Sequence, residues 1–120
     1  MPSWVLLLTP DSLGAAELEQ EIRLAGYSPR RAPDVPRAEV LLGQGDEPAA
    51  VVIDLAAAGE ETLGMITRLT SASRIVALAP DGDGPLARTA DESGAHVLAR
   101  LDAKRGQLSA LLERVTKGRS

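Results

Sequence analysis

Four short apolar runs, separated by stretches of helical spacing, constrain the fold of this 120-residue chain most strongly. The runs cover residues 4–8, 50–53, 74–78 and 96–99, and three of them are nearly continuous in Val, Ile and Leu. Short continuous runs of this kind are typical of strands in a parallel sheet that is covered on both faces. The pattern therefore predicts buried strands at these four positions.

Segments with apolar residues every three or four positions lie between the runs and predict helices. The first begins at Asp11 or Ser12, either of which can cap it, and ends at Ala25 before Gly26. Three further helices are predicted over residues 60–71, 85–93 and 107–115.

The stretch from residue 27 to residue 48 contains four prolines, which interrupt regular structure. We predict a short strand at a sheet edge over residues 28–32. A brief helix over residues 36–42 follows it, with Pro36 in its first turn.

Strand and helix thus alternate about five times, which predicts an α/β fold with a single doubly wound, five-stranded parallel sheet in a three-layer sandwich. We expect one domain over residues 1–116 and a flexible tail over residues 117–120. In such folds the functional crevice lies beyond the carboxyl ends of the strands. The candidate positions are therefore residues 9–11, 54, 79–81 and 100–102.

Composition excludes several classes of function. The chain has no cysteine and one histidine, so a disulfide framework or a transition-metal site is not expected. Its net charge of −4 argues against nucleic-acid binding, because phosphate binding needs a basic surface. The apolar run near the N-terminus is too short to span a membrane, and no charged leader precedes it. We expect a cytoplasmic protein without a membrane partner.

One run carries a more specific pattern. Val51-Val52-Ile53-Asp54 places a lone aspartate at the end of the most apolar strand, Gly26-Tyr27 ends the first helix, and Gly94-Ala95 precedes the final strand, in the order found in a known family. From Trp4 to about Val115 the sequence resembles the receiver domains of response regulators, the CheY-like family with a flavodoxin-like fold.

The resemblance implies a role in two-component, phosphorelay-type signal transduction in bacteria. Asp54 would be the carboxylate that takes a phosphoryl group from the histidine of a sensor kinase. Mg²⁺ would be held by this aspartate and an acidic pair after the first strand, and a hydroxyl and a lysine after the last two strands would contact the phosphoryl oxygens.

The sequence departs from the family at most of these positions. Thr9 and Pro10 replace the acidic pair, which leaves Asp11 as a weak candidate for a second cation ligand beside Asp54. Ala79 stands where the hydroxyl is expected, and Arg100 lies one residue short of the lysine position. Thr9, Ala79 and Arg100 are thus the positions at which phosphate contacts would be made. Asp11 is also explained as a helix cap, and Asp54 as a residue that caps the following turn.

We therefore interpret the chain as a pseudo-receiver, a non-enzymatic module that acts through protein contacts and needs no cofactor. The resemblance implies a sensor kinase, a downstream signalling protein or a second copy of the chain as partner. The expected partner surface spans the helix before the last strand, that strand and the last helix, with Arg88, His96, Arg100 and Arg105 as contacts.

Two alternatives stay open. The chain is an active receiver, phosphorylated on Asp54 with Mg²⁺, or it is a flavodoxin-like domain that binds a small ligand. Against the ligand-binding alternative, the sequence has no glycine-rich phosphate loop and almost no aromatic residues to hold a flavin.

Overall fold

The computed structural model describes residues 4–10, 12–44, 48–55, 74–79, 85–92, 94–99 and 103–117. The predicted helix over residues 60–71 lies outside the described residues. In chain order the elements are β1 (Trp4–Leu8), α1 (Ser12–Leu24), β2 (Ser28–Ala32), α2 (Val35–Leu42), β3 (Ala50–Asp54), β4 (Ile75–Ala79), α3 (Pro85–Glu92), β5 (His96–Ala99), and α4 (Leu108–Lys117), which continues from the π-helical turn Ala103–Gln107.

The five strands form one parallel sheet in the order β2-β1-β3-β4-β5. From β1 the chain crosses to β2 on one side, and from β3 it continues to β4 and β5 on the other side. The direction of winding therefore changes between β1 and β3, which is the point at which doubly wound folds form their crevice. The predicted five-stranded, doubly wound sheet is confirmed.

A separate apolar core covers each face of the sheet, because successive side chains of a strand point to opposite faces. On one face, Leu6 and Ile53 pack with Ala38 of α2 and Ala90 of α3. On the other face, strand residues such as Val52 pack against α1 and α4, which contribute Leu18, Ile22, Leu108 and Leu112. These two cores make the sandwich three-layered, and they explain why β1, β3 and β4 are apolar at nearly every position.

Two helices end in the same way, at a glycine with positive φ. Gly26 (φ 94) follows α1, and Gly94 (φ 92) follows α3. At the first, Gly26 N donates to Arg23 O at 3.0 Å and Tyr27 N donates to Ile22 O at 3.2 Å. This is the Schellman pattern, which favours glycine because the left-handed conformation strains other residues.

The proline-rich stretch folds as predicted into a strand and a helix. β2 lies at a sheet edge, where Pro29 is tolerated because an edge strand has unpaired positions. Asp34 caps α2 by accepting a hydrogen bond from Arg37 N at 3.0 Å, and Pro36 occupies the first turn.

Some predicted boundaries were wrong by one or more residues. β3 extends to Asp54, and β4 begins at Ile75 and includes Ala79, so both residues belong to strands. α4 continues to Lys117, one residue into the predicted tail, and the π-helical turn precedes it. The division into a domain over residues 1–116 and a tail stays a prediction.

Candidate functional site

Strand register brings Thr9 and Asp54 together at the carboxyl end of the sheet. β1 and β3 are neighbours, and Leu8 is level with Ile53 in the ladder between them. Thr9 comes directly after Leu8 and Asp54 directly after Ile53, so the two residues lie side by side on neighbouring strands. Both side chains lie on the face that carries Leu7 and Val52, because alternate residues of a strand share a face.

A cross-strand hydrogen bond connects the two side chains. The Thr9 hydroxyl, Oγ1, donates to Oδ2 of Asp54 at 3.4 Å. This distance is long for a bond between a hydroxyl and a carboxylate, for which 2.5–3.0 Å is usual. The backbone fixes the donor as well, because Thr9 N donates to Ala32 O of β2 at 3.1 Å.

The pair is completely buried. Thr9 and Asp54 are each 0 % exposed, and the other carboxylate oxygen, Oδ1, is buried too. Leu55, which follows Asp54, is buried as well. Burying a carboxylate is unfavourable unless hydrogen bonds or opposite charge compensate the lost hydration, so the Thr9 hydroxyl stabilises Asp54 in this position.

The remaining phosphate-contact and cation candidates do not add to this pair among the described residues. Ala79 is the last residue of β4 and is fully buried, and its methyl group can neither donate nor accept a hydrogen bond. Asp11 and Arg100 lie outside the described residues.

The predicted partner surface is described in part. Arg88 is exposed on α3, and His96 is half-buried at the start of the edge strand β5. α3 packs on β5, so these two residues belong to neighbouring elements. Arg105 lies in the π-helical turn, but its side chain is outside the described part of the chain. The roles of Arg88, His96, Arg100 and Arg105 stay predictions.

The Mg²⁺ that the resemblance to receiver domains implies does not fit the described residues. Mg²⁺ needs an octahedral set of oxygen ligands and is held in proteins by one or two carboxylates together with waters and phosphate oxygens. In the described ranges no group of three or more His, Cys, Asp or Glu side chains could hold a metal ion. At this end of the sheet Asp54 is the described carboxylate, and it already accepts a hydrogen bond from Thr9.

Two features of the buried polar groups were not predicted from the sequence. The role of Thr9 as a phosphate contact stays a prediction, and the hydrogen bond of its hydroxyl to Asp54 is the first unpredicted feature. The alignment of β1 with β3, which gives this contact, depends on strand order and is not readable from one sequence. Glu21 of α1 is also buried, at 7 % exposed, beside the apolar stripe that includes Leu18 and Ile22.

The fold is that of response-regulator receiver domains, the CheY-like class. A receiver domain from Clostridium thermocellum superposes with a TM-score of 0.81 at 16 % identity, covering 97 % of this chain and 95 % of that one. For the chemotaxis response regulator CheY4 of Vibrio cholerae the TM-score is 0.75 at 17 % identity, with 96 % and 99 % covered.

A candidate response regulator from Chloroflexus aurantiacus gives a TM-score of 0.72 at 24 % identity, with 93 % of this chain and 98 % of that chain covered. No protein-family model matches the sequence, and no curated protein matches it. None of the helices in the described ranges has the length and apolar character needed to cross a membrane.

Proposed function

We propose that this chain is a receiver-fold signalling module of a two-component system that acts through protein contacts and does not depend on phosphorylation. In this proposal the chain is a cytoplasmic, non-enzymatic pseudo-receiver. Its partner is a sensor kinase or a downstream signalling protein, and a second copy of the chain is an additional candidate.

The observation that carries the proposal is the buried pair of Thr9 and Asp54. Phosphorylation of an aspartate requires that its carboxylate oxygen reach a phosphodonor while a cation neutralises the transferring group. Here Oδ2 of Asp54 accepts a hydrogen bond from a neutral hydroxyl, and the residue is 0 % exposed. Ala79 supplies no hydroxyl that would hold a transferred phosphoryl group.

The proposed contact surface consists of α3, β5 and α4, with Arg88, His96, Arg100 and Arg105 as contacts. Two properties of the described residues support it. Arg88 is exposed, and β5 is an edge strand whose four residues are all only half-buried. Half-buried apolar side chains on an open edge favour contact with another protein.

The test is a titration of the wild-type chain with Mg²⁺ and beryllofluoride, a mimic of the aspartyl phosphate, followed by amide NMR. The matched control is Asp54→Ala, which lacks the acceptor carboxylate. We expect no saturable shift at millimolar concentrations of both reagents, in either protein. The absorbance spectrum of the same sample checks the ligand-binding alternative, since a bound flavin would be yellow.

Saturable shifts around Asp54 in the wild-type chain, absent from Asp54→Ala, would overturn the proposal. They would establish the active receiver phosphorylated on Asp54 instead. In that case Asp11, which follows Pro10 in the sequence, would be the first residue to test as a second cation ligand.

A further inference from the structure

We propose that the sheet edge at β2 binds an acidic segment of a partner protein through exposed arginine side chains. The surface consists of Arg30 and Arg31 of β2 and Arg37 of α2, and we call it the arginine edge. α2 packs on β2, so the three residues belong to neighbouring elements. β2 and β5 are opposite edges of the sheet, so the arginine edge is separate from the contact surface of the proposed function.

Positive charge is concentrated at this edge. Residues 23–37 contain four arginines and a single acidic residue, in a chain whose net charge is −4. Arg30, Arg31 and Arg37 are exposed, and none of them forms an ion pair with another described residue. The acidic residue is Asp34, whose carboxylate caps α2 by accepting from Arg37 N. The arginine edge thus carries charge that the described residues do not neutralise.

The backbone of β2 disfavours a partner that adds a strand to the sheet. Thr9 N donates to Ala32 O, so Ala32 directs its carbonyl to β1. Successive residues of a strand direct their backbone groups to opposite sides, so Pro29 and Arg31 face away from β1. Proline has no N–H, which leaves Arg31 N as the one donor that β2 offers at its open edge. A partner at this edge is therefore recognised by side chains and not by backbone pairing.

A carboxylate is complementary to the groups around Arg30. The guanidinium presents N–H donors in a planar fork that pairs with both oxygens of a carboxylate. Its carbon Cζ lies 4.6 Å from the centroid of the Trp4 ring. The indole Nε1 of Trp4 is a buried donor with no hydrogen-bond partner among the described residues. A cation and a donor without an acceptor thus lie close together, and an anion with two oxygens matches both.

Two features favour a short protein segment over a nucleic acid or a membrane. The net charge of −4 repels an extended polyanion from the rest of the surface. Val40 follows Arg37 by three residues on α2 and is 62 % exposed. Residues at this spacing are neighbours on a helix surface, so the arginine edge offers an apolar contact beside its charge. A segment with acidic and apolar side chains uses both.

The experiment is a titration of the full chain with a hexaglutamate peptide at low ionic strength. Amide NMR shifts measure the affinity, and the emission of Trp4, the single tryptophan, reports the contact with Arg30. We expect saturable shifts centred on β2 and α2, a change in Trp4 emission, and weaker binding as salt is added. Hexalysine is the control peptide and should produce none of these changes.

Substitutions separate recognition by the edge from the effect of net charge. Arg31→Gln should weaken binding about threefold, and Arg30→Gln combined with Arg31→Gln about tenfold, since exposed ion pairs each contribute modestly. Arg114→Gln changes the net charge as much as Arg31→Gln does, at an exposed position of α4, and should leave the affinity unchanged. Arg30→Lys keeps the charge and loses the planar fork, so it should also weaken binding.

Several results would overturn the inference. One is the absence of saturable shifts at β2 and α2, and another is equal weakening by Arg31→Gln and Arg114→Gln. Binding of heparin, or of vesicles that contain phosphatidylserine, without binding of hexaglutamate would assign the edge to a polyanion or a membrane. A wild-type dimer in sedimentation that Arg30→Gln with Arg31→Gln dissociates would assign it to a second copy of the chain.

Failure of this inference is distinguishable from failure of the proposed function. A wild-type response to beryllofluoride with Mg²⁺ would overturn the proposed function and would not alter the expected affinity for hexaglutamate. A chain that is silent to both beryllofluoride and hexaglutamate would overturn the arginine edge alone.

Discussion

The buried polar groups at the two ends of the sheet differ in their hydrogen-bond partners. At the carboxyl end, Asp54 accepts a hydrogen bond from Thr9 on the neighbouring strand. At the amino end Trp4 is 3 % exposed, and Glu21 lies late in α1, which runs back from the end of β1 to the start of β2 on the opposite face of the sheet. No hydrogen bond from the described residues reaches Trp4 Nε1 or Glu21 Oε1.

The contrast arises from how each end is built. Thr9 directly follows β1, and Asp54 is the last residue of the neighbouring strand β3. The pairing of Leu8 with Ile53 therefore also places the Thr9 hydroxyl beside the Asp54 carboxylate. Glu21 is carried by α1, which packs on α4 and β2, and its Oε1 has no hydrogen-bond partner among the described residues. At the carboxyl end the Thr9 hydroxyl therefore offsets part of the cost of burying Asp54, whereas at the amino end no described group does so for Trp4 Nε1 or Glu21 Oε1.

Removing the hydroxyl at the carboxyl end should have the largest effect. We expect Thr9→Val to lower the free energy of unfolding by about 2 kcal/mol, because it removes a donor from a buried carboxylate and keeps the side-chain shape. Urea unfolding followed by circular dichroism measures the change.

Thr9→Ser is the matched control, since it keeps the hydroxyl and should recover most of the loss that the hydrogen bond causes. Equal destabilisation by Val and Ser would mean that the methyl group of Thr9, and not its hydroxyl, stabilises this end of the sheet.

Replacing the carboxylate at the amino end should have a smaller effect of opposite sign. We expect Glu21→Leu to raise the free energy of unfolding by about 1 kcal/mol, because a carboxylate whose buried Oε1 has no hydrogen-bond partner among the described residues is replaced by an apolar side chain of similar volume. Gln20→Leu, at an exposed position of the same helix, is the control and should change stability by less than about 0.5 kcal/mol. Destabilisation by Glu21→Leu would show that the Glu21 carboxylate stabilises the native state.

The fold was largely predictable from the sequence because periodicity and turn residues agree. The apolar run 50–53 predicted a central strand, and glycines 26 and 94 predicted the ends of α1 and α3. The bounds of β2 were also predicted within the proline-rich stretch, because Pro29 is compatible with a strand at a sheet edge.

The site was predictable only in part. Topology identified Thr9 and Asp54 separately, as residues that follow or end strands. Their hydrogen bond depends on which strands are neighbours and on the register between them, and neither property is encoded locally. Burial of Glu21 has the same cause, because the helical spacing places this residue at the border of the apolar stripe, where the packing of other elements decides its exposure.

The smallest predicted effect concerns Arg30 of β2, whose guanidinium carbon lies 4.6 Å from the centroid of the Trp4 ring. Arg30 is exposed, so this cation–π contact should contribute about 0.5–1 kcal/mol, and Arg30→Ala should destabilise the protein by that amount. Trp4 is the single tryptophan, so its fluorescence reports this end of the sheet alone.

Arg31→Ala is the matched control, because Arg31 is also exposed but its side chain lies on the opposite face of β2. A change in tryptophan emission and stability for Arg30→Ala, absent from Arg31→Ala, would show that the amino end is held by contacts to the ring of Trp4. Equal effects of the two substitutions would instead assign the loss to the charge of the edge strand.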